Sequence, residues 1–314
     1  MKRNLINNSH IEGYVYEHKL ERKVSGKSAK SPGTEFINGT LSIATDDEML
    51  NIVSVHFTYV TEVTSKGKAN ATFGVLSNII DGKVGSVMEH GKEKASKVRI
   101  DSALDLNEWY DTRDPKQPLI SVKRNEGGFV HITQELSAEP QRATFEADMV
   151  ITGVVRAEED EERNQPEKVT VKGCIFNFRK ALLPVEFTVL NPKAMDYFES
   201  LNASTKEPVF TKISGQQVSK TIVRQVKEES AFGEASVKEI RNTQKDFVIT
   251  WAQAIPYEWD SEDTLLASEL GEMISARELY LADVKKRQDE YQASKGSAIP
   301  VASVGAPKQS EYNF

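Results

Sequence analysis

The chain has 314 residues, with 40 Lys and Arg against 47 Asp and Glu, a net charge of −7 and 39% hydrophobic residues. Enough apolar side chain is present for packed cores, which excludes wholesale disorder, and no apolar run approaches the roughly 20 residues of a membrane-spanning helix. The length suits two domains plus an appendage, and the single Cys174 excludes an intramolecular disulfide and reads as a small buried hydrophobe.

The N-terminal Met1-Lys2-Arg3-Asn4 is basic without an apolar run, so a cytoplasmic rather than secreted protein is expected. Alternating or apolar stretches at residues 11–16, 36–43 and 52–60 predict three strands, in which Val53, Val55, Phe57 and Tyr59 share one face. A helix is predicted over 71–80. Short strands follow near 98–100, at 119–122 and at 129–133. Trp109 and Tyr110 fall in an acidic loop, and residues 123–128 form a hairpin-type loop. Residues 137–142 read as a linker.

The pattern then repeats. Strands are predicted at 149–155, 169–176 and 185–190, a helix from Pro192 to Leu201, and strands at 207–218, 221–225 and 247–251. Residues 228–234 form a turn. After Pro256, Asp260 or Ser261 can cap a helix reaching Ala293, with Leu266, Leu270, Met273, Tyr280, Val284 and Tyr291 near seam spacing and Arg277 and Arg287 interrupting it. Residues 295–314 have linker composition.

Three strands, a helix and further strands, twice over, is the wiring of an OB barrel. Each copy also carries a glycine in its first strand (Gly13, Gly153) and in its second (Gly39, Gly173), as tightly coiled small barrels require. The expected fold is mainly β: two tandem OB-like Greek-key barrel modules, 1–140 with a basic loop and 141–256 with an acidic loop at 158–166. A C-terminal α-helix (257–294) and a flexible tail (295–314) complete it.

No constellation supports catalysis. Gly85–Glu93 has five residues between its glycines and ends on Glu where a phosphate loop needs Ser or Thr. His10, His18, His56, His90 and His131 are scattered, so neither a metal nor a cofactor is expected. Charge is more telling when mapped. Residues 1–140 are nearly balanced, 18 Lys and Arg against 19 acids, and Lys19, Arg22, Lys23, Lys27 and Lys30 crowd a stretch whose one acid is Glu21. Phosphate binding follows such local patches rather than net charge. Phe36 alternates onto the polar face with Asn38, Thr40 and Ser42. A ring there has no core to enter and can stack on a base. Trp109 and Tyr110 either stack on bases or cover a loop. Lys66 and Lys68, with Lys123 and Arg124, are further candidate phosphate contacts, and of Phe176 and Phe178 one is exposed.

The strand order over residues 10–254 resembles the OB-fold single-stranded DNA-binding proteins, particularly those carried by bacterial viruses and mobile elements. The tail ending Glu311-Tyr312-Asn313-Phe314 resembles the acidic, Phe-terminated tip by which bacterial members recruit replication and recombination proteins, though only Glu311 supplies charge. The resemblance implies single-stranded DNA as partner, bound with little sequence preference, and partner binding through Phe314, without membrane association and with oligomerisation possible. The alternative is a virion or tail structural protein assembling through its β domains and helix. Carbohydrate binding is a third reading, since OB clefts also hold sugars.

Overall fold

The computed structural model describes residues 3–27, 29–114, 116–159, 166–228 and 236–296, with side chains outside 220–244 and 294–296. Residues 160–165 of the expected acidic loop, 229–234 of the expected turn and the tail from 297, Phe314 included, lie outside the described residues. The protein is mainly β, with an OB-like strand order, one large sheet and a C-terminal helix.

Strands β1 (Asn7–Val24), β2 (Glu35–Ala44), β3 (Ile52–Thr61), β4 (Lys97–Tyr110) and β5 (Leu119–Thr133) pair in a closed ring. β1 bonds both β2 and β4, β2 bonds β3, β4 bonds β5, and the parallel contact Val55–Asn125 joins β3 to β5. Gly39 sits where the ring coils hardest: its φ is +132° and a Cβ there would lie 2.0 Å from the Lys19 carbonyl oxygen. Inward residues Ile11, Val15, Ile37, Leu41, Val55, Phe57, Val98, Ile100 and Val130 form the core. One end is closed by Leu76 and Ile79 of helix α1 (Ala71–Ile80), whose cap Asn70 accepts the Thr72 N–H at 3.2 Å. A one-turn helix α2 (Val87–His90) follows.

The remaining strands close a second ring of the same order: β6 (Ala143–Ala157), β7 (Lys168–Phe176), β8 (Leu182–Val189), β9 (Val209–Glu228) and β10 (Ser236–Ala252), with β8 and β10 parallel. Helix α3 (Pro192–Ser200) stands between β8 and β9, as α1 stands between β3 and β4, and inserts Met195 and Phe198 into the core. Phe145 and Phe187 stack there with centroids 4.9 Å apart. Burying each such ring stabilises the fold by about 1.5–3 kcal/mol. Cys174 is buried as expected, and burial pushes its thiol up to about 12.

The two rings share β-structure. β1 pairs with β6 from Asn7–Ala147 to Ile11–Ala143, and Gln217 of β9 reaches into the first ring, where it donates to the Ser9 hydroxyl at 2.5 Å and accepts from Asn125 Nδ2 at 2.8 Å. The expected linker at 137–142 is a bonded turn: Arg142 is buried, donates to the Ser137 carbonyl and pairs with Asp47 at 3.0 Å. Helix α4 (Ala267–Gly296) starts later than expected, with Asp260 accepting the Ala267 N–H at 2.9 Å. It packs on the body through Leu270 and Met273. Arg277, which seemed to interrupt the seam, is its anchor: it pairs with Glu108 at 2.5 Å and donates to the Leu182 carbonyl. Among the described residues no helix is long and apolar enough to cross a membrane.

Candidate nucleic-acid interface

The outer face of β1, β2 and β3 carries the residues of interest in register. Lys23 lies beside Phe36 and Phe36 beside Thr61; Lys19 lies beside Thr40 and Thr40 beside His56. Phe36 is half-buried because its ring leans on Tyr59, centroids 4.5 Å apart and planes tilted by 38°. Tyr59 is 49% exposed and exchanges a 3.0 Å hydrogen bond with the Ser25 hydroxyl, at the root of the β1–β2 loop. Tyr59 was expected on the inner face with Phe57. The cause of the difference is a bulge: Ile37 pairs with Val60 but Gly39 with Phe57, so Asn38 faces both Thr58 and Tyr59 and the alternation flips. Val60 goes in and Tyr59 goes out. No residue type in 52–60 announces that extra position.

The five clustered cations separate. Lys19 and Lys23 are exposed on β1 rather than in a loop, with Lys23 Nζ 3.2 Å from Glu21 and 3.5 Å from Asn38 Oδ1. Lys27 and Lys30 are exposed in the loop that leaves β1, next to Tyr59's partner Ser25. Arg22 alternates to the other side of β1, where it pairs with Asp81 at 2.8 Å, approaches Glu35 at 3.8 Å and donates to the Ser77 carbonyl. The hydrogen bond to Asp81 holds its guanidinium above the ordinary arginine value. Arg22 is a strut between β1 and the end of α1, not a free phosphate contact. Lys66 and Lys68 are exposed on a tight turn after β3, closed by a 2.8 Å bond from Thr64 N–H to the Lys68 carbonyl.

The outer face continues onto β5. His56 lies beside Glu126, which accepts from Thr58 and pairs with Arg124 at 2.8 Å. Burial first, and then Arg124, lowers the His56 imidazole below its ordinary value. The expected hairpin loop at 123–128 is instead the middle of one continuous strand, whose Gly127 and Gly128 (φ +64° and +113°) form a bulge opposite Ser102. Lys123 and Arg124 consequently point to opposite faces. Lys123 is a correction: its ammonium lies 4.3 Å from both the Phe187 and Phe247 ring centres and donates to the Glu186 carbonyl, tucked against the second ring. Burial pulls it down to about 8. Arg124 stays on the outer side. Trp109 pairs with Ile120 in β4, not in a loop, and is exposed on the face of the β4–β5 ribbon that carries Arg124. Tyr110 is turned toward α4, where Lys285 stands 5.6 Å from its ring and Gln288 bonds its backbone.

Beside this face lies a groove of about 840 Å³. Thr58 and Arg124 form one wall, the β7–β8 turn at 177–181 a second, and Met273, Arg277 and Tyr280 of α4 a third. Phe178, on that turn, is 83% exposed, whereas Phe176 is buried.

Residues 6–286 match the model of the YorF family. The chain belongs to the YorF family. No curated protein matches it. Among solved structures, it is similar at 10% identity to the wild-type single-stranded DNA binding protein from Thermus aquaticus, with a TM-score of 0.45 over 80% of this chain and 93% of that one. A deletion mutant of that Thermus aquaticus protein is similar at 9% identity, TM-score 0.46, over 82% of this chain and 98% of that one.

Proposed function

We propose that this YorF-family protein binds single-stranded DNA with little sequence preference and performs no chemistry on it. In this reading residues 1–140 and 141–256 are tandem OB modules, the first being the principal DNA-binding unit and 257–294 an appended helix. The carrying observation is the Phe36–Tyr59 ring pair on the outer face of β2 and β3, beside Lys23 and the Lys27/Lys30 loop. An unpaired strand offers flat bases and regularly spaced phosphates. Exposed rings next to cations match both, and each stacked base contributes about 1–3 kcal/mol. Lys19, Lys23, Lys27, Lys30, Lys66 and Lys68 take the phosphates, and Trp109 extends the stacking surface. Protecting or organising exposed single strands during replication or recombination of a bacteriophage or mobile element, in the cytoplasm, is the role this chemistry fits, with Phe314 as the contact for protein partners.

The test is a titration of fluorescein-labelled oligo-dT into the full chain at two salt concentrations. Saturable binding that weakens as salt rises is expected, because each neutralised phosphate releases counterions. No binding at low salt removes the proposal.

A further inference from the structure

The β7–β8 turn displays a ring that the second ring's core does not need. Phe178 is 83% exposed, and the Arg179 guanidinium carbon lies 5.1 Å from its ring centre. The turn is also firmly built. Asn177 Oδ1 accepts the Arg179 and Ala181 N–H groups, both at 3.0 Å, and the Lys180 N–H donates to the Asn177 carbonyl at 2.8 Å with Lys180 at φ +59°. Such a turn holds Phe178 toward solvent rather than letting it fold back. A ring this exposed on a braced backbone contributes little to folding, since most of its apolar surface stays in water.

The groove tells what the ring faces. Thr58 and Arg124 on its opposite wall belong to the outer face of β3 and β5, and Thr58 is the neighbour of Tyr59. The groove therefore begins at Thr58, one residue from Tyr59, and reaches Phe178, with Arg124 and its ion-pair partner Glu126 on one bank and Arg179 and Lys180 on the other. Acids line both other sides, Asp105 and Glu126 on the near bank and Glu269 and Glu272 on α4, so the turn is where phosphates can sit. Building on the function proposed above, we infer that Phe178 is a second stacking station, with Arg179 and Lys180 as its phosphate contacts. An unpaired strand leaving the first ring crosses this groove to reach it. The occupant is a single-stranded nucleic acid because the turn sets one bare ring beside two adjacent cations, Arg179 and Lys180, and because the groove begins beside the face that carries Phe36.

The test uses the full chain with fluorescein-labelled oligo-dT of about 8 and about 30 nucleotides, lengths chosen to fill one and two OB-sized sites. Phe178→Ala and Arg179→Ala are surface changes. Each is expected to weaken the long oligomer on the order of tenfold, from the loss of one stacked base or its phosphate contact, while leaving the short one unchanged. Phe178→Trp is expected to retain long-oligomer affinity and to add an indole emission, taken as the difference from wild type, that the long oligomer quenches and the short one does not. Long-oligomer binding at wild-type strength in both alanine variants overturns the inference. If Phe36→Ala then still weakens both lengths, the first-ring reading stands without it. If the wild type binds neither length, both fall.

Discussion

Phe36 and Tyr59 meet ring to ring on the solvent side of β2 and β3, 4.5 Å apart at their centres, while their neighbours Ile37 and Val60 pair across the same strands and face the core. The bulge at Thr58 and Tyr59 makes this possible, and it makes the pair separable from the fold. Phe36→Ala and Tyr59→Ala are expected to lower oligo-dT affinity by roughly 5- to 100-fold each, the range for loss of a stacked base. Their melting temperatures should stay within a few degrees of wild type. Fluorescence anisotropy and a thermal melt on the same preparations check this. Wild-type affinity in both variants takes the pair out of the interface.

The cations divide by their partners, so their substitutions should divide as well. Lys27→Ala with Lys30→Ala removes two exposed loop charges. If both meet phosphates, the log–log salt slope is expected to flatten by about 0.7 per contact, the single-strand value. Arg22→Ala breaks the strut to Asp81 and the Ser77 carbonyl. It is expected to lower the melting temperature slightly and leave the salt slope alone. Equal slope changes in the two variants contradict this division.

Lys123 is expected to make stability depend on alkaline pH. Its folded-state value is lowered by burial from the usual 10.5 to about 8. Between those values the unfolded chain holds a proton that the folded chain has released, so stability rises with pH through that window and is level below about 8. The full span corresponds to up to roughly 3 kcal/mol. Lys123→Met keeps the apolar contact with Phe187 and Phe247 and removes the desolvated charge. It should therefore be at least as stable as wild type at pH 7 and lose the alkaline rise. Urea unfolding at pH 7, 8.5 and 10 measures it, and a strongly destabilised methionine variant refutes the account.

What was legible in the sequence follows from how strictly each segment keeps its period. Helix α1 matches the expected 71–80 because Asn70 caps a segment whose Leu76 and Ile79 fall on one buried face. The OB-like order of three strands, helix and strands was readable because core positions such as Val53, Val55 and Phe57 alternate cleanly. Bulges broke the reading. Gly127-Gly128 looked like a hairpin turn and split β5 in two, and the Thr58–Tyr59 bulge hid Tyr59 among core residues. Lys123 illustrates a further limit: its place against Phe187 and Phe247 depends on a second ring more than 60 residues away. Phe36 and the Lys27/Lys30 loop needed only local alternation and composition, and those stood out.

The joint between the rings should be the most mutation-sensitive polar feature. Ser9, Asn125 and Gln217 are all buried and satisfy one another: Ser9 Oγ donates to Asn125 Oδ1 at 2.6 Å, and the Gln217 amide bonds both partners. Gln217→Ala removes both of these bonds, each worth about 0.5–1.5 kcal/mol, and leaves a space between the rings, while Ser9 stays bonded to Asn125 and Asn125 to the Ser54 carbonyl at 3.2 Å. Roughly 1–3 kcal/mol of destabilisation is expected. Gln217→Leu, which fills the space without restoring a bond, should recover little of it. Because Gln217 lies inside, away from the Phe36 face, oligo-dT affinity of the folded fraction should not change. Guanidinium unfolding and anisotropy below the melting temperature separate the two effects. A fully stable Gln217→Ala protein would mean that the amide network does not hold the rings together.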